Sequence, residues 1–100
     1  MFNTIRVLFT LVLISAFSFS DVFITEVADP SNSANSRFIE IYNNGTSDFD
    51  FTGWSLKRYS NGSTTSSGNI PLPASLGAGS FYVVCGSAFE DTFGFACDAT

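Results

Sequence analysis

The chain has 100 residues, with nine Asp or Glu, four Lys or Arg and no His, for a formal charge of −5 at pH 7. That balance argues against nucleic acid as a partner of this segment, because holding a phosphate backbone rests on Lys and Arg displacing counterions. Twelve Phe and an apolar content of 45% exclude an intrinsically disordered chain, which lacks the apolar surface to build a core.

The chain opens MFNTIRVLFTLVLISAFSFSD. Arg6 gives a positive start, residues 7–17 an apolar run, and Ser18-Phe19-Ser20 a small-x-small cleavage pattern. A membrane span needs roughly 20 apolar residues. This run is shorter and meets Asp21 directly, so the sequence predicts a cleaved signal peptide over 1–20 rather than a retained anchor. Membrane contact is expected through the leader alone, before cleavage. Residues 21–100 then form one domain, secreted or held at the cell surface. It keeps Arg37, Lys57 and Arg58 against nine carboxylates, a charge of −6 that favours solubility outside the cell.

VFITEV (22–27) is rich in β-branched and aromatic residues and reads as a strand, followed by the loop ADPSNSANS with Pro30. RFIEIYN (37–43) is the next strand. It runs into Asn43-Asn44-Gly45-Thr46, where Asn-Gly predicts a tight hairpin because both residues tolerate positive φ. SDFDFTG (47–53) alternates Asp48 and Asp50 with Phe49 and Phe51, a period of two that suits a half-buried strand. WSLKRYS (54–60) would set Trp54 and Leu56 on one face, with Trp54 as a core anchor. A polar loop, SNGSTTSSGN (60–69), separates it from IPLPASLGAGS (70–80). Pro71 and Pro73 confine that segment to a sheet edge, turning at Gly77 to Gly79. FYVVC (81–85) is the most hydrophobic strand and is predicted at the middle of a sheet.

After the leader no stretch holds helical periodicity over more than about two turns. The class is all-β. An immunoglobulin-type sandwich has about seven strands in roughly 100 residues. Five strands here, with none after Cys97, read as a domain incomplete at its C-terminus and the front of a longer protein.

Cys85 and Cys97 form an even pair, which in an exported chain reads as a disulfide, with two free thiols as the alternative. Two thiols without His make a poor zinc site. Catalysis finds no support: there is no His and no G-x-S-x-G, and both cysteines have another use. The carboxylates that interrupt apolar strands, Glu26 and Glu40, are candidates for partner contact. An acid and base pair for glycoside hydrolysis would need a cleft and separated pKa values. Alternation instead sends Ile39 and Ile41 to the core and leaves Glu40 on the other face, beside Lys57 or Arg58 of the following strand. No cofactor is expected. A calcium site from Glu26, Asp29 and Asp48 or Asp50 has the oxygens but lacks a regular D-x-D-x-D spacing. Trp54 with Tyr42, Tyr59 and Tyr82 could stack on a carbohydrate, although rings in a sandwich more often fill its core. Asn44-Gly-Thr and Asn61-Gly-Ser have the form of glycosylation sequons and serve equally as turns.

Taken in order, FITEV, RFIEIYNNGT, DFTGWSLK and IPLPASLGAGSFYVVC resemble the lamin tail domain of secreted bacterial proteins. Glu26 matches the acid of that family's first strand, Glu40 the second acid of its second strand, and Asn43 and Gly45 its turn. Gly53-Trp54 match its Gly-Trp step and Val83-Val84 its late hydrophobic strand. Thr25 and Arg37 depart from the usual Asn and Glu, and the family's later Asn-Gly-Asp-Asp segment and closing strand are missing. The resemblance implies an immunoglobulin-like β-sandwich serving as a non-catalytic accessory or interaction module. Its partner would be a protein or cell surface. The alternative is the front end of a secreted nuclease or phosphoesterase whose catalytic domain lies beyond Thr100.

Overall fold

A computed structural model describes residues 21–100; the predicted leader over 1–20 lies outside the described residues. β1 (Val22–Ala28), β2 (Phe38–Asn43) and β5 (Phe81–Cys85) form a three-stranded antiparallel sheet in the order β1-β2-β5. β3 (Phe49–Asp50) and β4 (Ser75–Leu76) form a second antiparallel pair. A single helical turn, α1 (Phe89–Phe93), follows β5. The class is all-β and immunoglobulin-like, as the sequence predicts.

The period-two pattern of β2 sorts its side chains. Ile41 is 4% exposed and clusters with Phe51 and Leu76, while Ile39, Tyr82, Phe49, Leu56 and Leu72 pack around them. Register pairs Ile41 with Tyr82 and Ile39 with Val84, so β2 and β5 present one inner face to the smaller sheet. Burying such side chains contributes about 1.5–3 kcal/mol each.

The other face of the large sheet is covered at one end only. Phe38 meets Phe89 and Phe93 edge-on, at centroid distances of 5.3 and 5.5 Å, and Phe89 is 2% exposed. A single helical turn is unstable alone, so this aromatic packing is what holds α1. Gly94 closes the helix at φ 83°, its N–H donating to the Glu90 carbonyl. Wholly buried Ser36, at the end of a 3₁₀ turn (Ala34–Ser36), ties the loop to the helix through 2.6 Å contacts between its Oγ and those of Ser33 and Thr92. The same loop passes so close to Gly86 that a Cβ there would lie 2.3 Å from the Asn35 carbonyl oxygen. Beyond α1, a disulfide joins Cys97 to Cys85 with 6.2 Å between Cα atoms. The chain then runs parallel to β5, with Ala99 bridged to Val84.

Four expectations need correction. FYVVC is not the central strand; β2 is. The hydrophobicity of β5 comes from Tyr82 and Val84, which turn inward, and from an outer face on which Phe81 stacks on Tyr42 and Cys85 is bridged. The second edge of β5 meets no full strand among the described residues, only the tail at the bridge between Val84 and Ala99. WSLKRYS forms no strand beyond a single bridge between Leu56 and Ile70. Trp54 is no core anchor: it is 64% exposed and leans edge-on against Phe49. The turn before it, closed by the Trp54 N–H on the Phe51 carbonyl with Gly53 at φ 80°, carries the indole outward and leaves Phe51 in the core.

The fourth correction concerns Asn44-Gly45, which makes no hairpin. Gly45 does not take a positive φ, and β3 pairs with β4 rather than β2. The buried Asn43 side chain governs this turn instead. Its Oδ1 accepts the Gly45 N–H at 2.8 Å, and its Nδ2 donates to the carbonyls of Ser47 and Leu76 at 2.9 and 2.8 Å. The chain is thereby directed across to the second sheet. The tight Asn-Gly turn occurs at Asn61-Gly62, where φ is 52° and 74° and the Ser63 N–H meets the Ser60 carbonyl.

Candidate functional site

Away from α1, the outer face of the large sheet is open. Alternation along β2 and β5 places Glu40 and Tyr42 there beside Val83 and Phe81. β1 completes the face through an irregularity: Ile24 pairs with Ile41 and Glu26 with Glu40, leaving Thr25 as an extra residue. Its hydroxyl donates to Glu40 Oε1 at 2.8 Å.

Glu26 and Glu40, both singled out from sequence, thus stand directly opposite each other. Like charges in that position are unfavourable for pairing. The cation expected beside Glu40 is elsewhere. Arg58 donates through Nε to Ser67 Oγ at 3.2 Å and lies near Ile39 and Val84, on the opposite side of the sheet. The only salt bridge among the described residues joins Arg37 to Asp29. Glu26 is exposed and Glu40 half-buried on this face, whereas hydrolysis by an acid and base pair works within a cleft.

Next to the carboxylates runs a row of rings that sequence reasoning did not assemble. Phe23 meets Tyr42 edge-on at 6.0 Å, and Tyr42 stacks on Phe81 at 4.3 Å with 22° between planes. Phe23 is 45% and Phe81 55% exposed. Each ring lies in a strand with visible alternation, but their convergence depends on register, which pattern alone does not supply. Apolar surface rimmed by carboxylates suits contact with another molecule.

The residues weighed for calcium are spread out. Glu26 belongs to β1, Asp29 is engaged by Arg37, and Asp48 and Asp50 lie at β3. Asp50 accepts the hydroxyl and backbone N–H of Thr52 at 2.7 and 2.8 Å. The hydroxyl contact and then the backbone contact hold its carboxyl below the ordinary value. No three His, Cys, Asp or Glu converge into a metal site among the described residues. Nor do the rings considered for a carbohydrate share a surface. Tyr82 packs on the core, Tyr42 lies outside, Trp54 leans on Phe49 and Tyr59 sits by Arg58. No described helix is long and apolar enough to cross a membrane.

Comparison with known proteins gives one result. The family model for the Lamin Tail Domain matches residues 15–99. Neither a curated protein nor a solved structure matches the chain significantly.

Proposed function

The chain belongs to the lamin tail domain family, non-catalytic and immunoglobulin-like interaction domains, and on that premise we propose an exported module that binds through the outer face of β1, β2 and β5. The observation that carries this reading is the exposed row Phe23, Tyr42 and Phe81 with Glu26 and Glu40 beside it. Rings supply apolar area at low entropic cost and carboxylates supply selectivity, which is how contact surfaces divide the work. The leader pattern and the Cys85–Cys97 bridge support export, since disulfides persist in oxidising compartments.

The module serves a larger secreted or surface protein. Reading the gene past the codon for Thr100 tests this: a further domain supports it and an early stop overturns it. A downstream cluster of His and Asp ligands would make the chain the front end of a secreted nuclease or phosphoesterase.

Binding is tested by a photo-crosslinking residue at position 81, with position 64 in the exposed loop as control, in the intact protein in its native host. We expect a discrete adduct from position 81 alone. Glu40→Gln should lower that yield while costing no more than about 1–2 kcal/mol in stability, the ordinary range for a point change. Equal adducts from both positions would remove the assignment. Export is read from the intact mass of the released protein, expected to begin at Asp21.

A further inference from the structure

β3 and β4 hold two residues each and are too short to cover the whole inner face of the large sheet. At the Ile41 end the layers close on Phe51 and Leu76. Toward Ile39 and Val84 they do not, and a half-open cavity of about 610 Å³ remains. Small-ligand sites run from roughly 300 to 1,000 Å³. Ile39, Ile70 and Val84 make an apolar floor, while Arg37, Arg58 and Tyr59 stand at the rim.

Charge is distributed unevenly between this opening and the rest of the molecule. The described residues carry three cations, Arg37, Lys57 and Arg58, and two of them border the cavity. Of nine carboxylates only that of Asp29 borders it, and Asp29 is already paired with Arg37. Arg58 has a single neutral acceptor, Ser67 Oγ, and no carboxylate within ion-pair distance among the described residues. A guanidinium offers five N–H donors in a planar fork that matches a carboxylate through two parallel bonds. Here most of that fork is uncommitted, at the mouth of an apolar hollow.

We propose that this cavity binds a small monocarboxylate with an apolar body, its chain on Ile39, Ile70 and Val84 and its carboxylate on Arg58. One unneutralised guanidinium in an acidic protein suits a single negative charge; a polyanion would meet net repulsion. The site lies on the opposite side of the sheet from the aromatic row and stands independently of the interaction face.

Methyl NMR of the intact, disulfide-bonded chain tests it, with octanoate, octan-1-ol and inorganic phosphate as separate probes. Octanoate should shift the methyls of Ile39, Ile70 and Val84 and saturate. Octan-1-ol should bind at least tenfold more weakly, and phosphate should leave those methyls unmoved. Arg58→Gln should weaken octanoate about tenfold, the scale of one charge-assisted contact, and leave octan-1-ol unchanged. Lys57→Gln should alter neither. Arg58 is exposed, so these variants keep the fold, and an unchanged melting temperature verifies it. Equal affinity for octanoate and octan-1-ol, unaltered octanoate binding in Arg58→Gln, or octanoate shifts confined to the outer-face methyls of Thr25 and Val83 would each overturn the proposal.

Discussion

Short polar side chains close the turns in this domain, and two of them act in ways that can be measured separately. Asn43 turns its amide inward, satisfying the Leu76 carbonyl while its oxygen holds the Gly45 N–H. Asp50 works at the surface, where Thr52 donates to it twice. Because the folded carboxyl titrates below its ordinary value of 3.8, the unfolded chain binds more protons across that interval. Stability from this contact is therefore complete above the unfolded value and is lost as pH falls through the folded one. Thr52→Val, which keeps the backbone donor and removes the hydroxyl, should raise the Asp50 midpoint toward 3.8. Carbon-detected NMR titration reads it directly, and an unmoved midpoint would assign the effect elsewhere. The sequence shows Asp50-x-Thr52 but not its geometry, because such a contact depends on the local backbone bend.

Among the elements, inner and outer faces were legible and edges were not. Ile39, Ile41, Phe49 and Phe51 follow simple alternation and face inward as expected. Trp54 did not, because Gly53 interrupts the pleat and the period cannot be carried through a left-handed residue. This yields a contrast testable by urea unfolding. Phe51→Ala should cost about 3–5 kcal/mol, as for a buried ring, while Trp54→Ala should cost about 1 kcal/mol, the scale of an edge-on ring contact. Comparable losses would restore Trp54 to the core. The two Asn-Gly pairs teach the same lesson. Asn44-Gly45 follows a residue whose amide has buried partners, whereas Asn61-Gly62 lies in a polar loop free to adopt the tight turn. The candidate site was half legible: Glu26 and Glu40 stand out as charges in apolar strands, while Phe23 and Phe81 join them only once register is known.

At the scale of the whole molecule, the tail beyond α1 sets the boundary of the large sheet. The Asp98 N–H donates to the Val83 carbonyl, and the Cys85 N–H to the Ala99 carbonyl, each at 2.9 Å. A parallel neighbour needs a crossover of a dozen residues or more, and the 12-residue separation of Cys85 and Cys97 supplies it, with α1 as its helical part. The disulfide thus fastens both ends of a miniature crossover. Intact mass without reductant should be two hydrogens below the reduced value, and opening the bond should cost about 3 kcal/mol. Two thiols that alkylate freely without reductant would refute the bond. Reduction would also do more than loosen a loop. Once the tail lifts away, the backbone donors and acceptors of β5 form a bare edge ready to template strands from other molecules. The redox state of one bond would then decide whether the β5 edge is covered or open to a strand from another molecule. Light scattering before and after adding reductant would distinguish the two states.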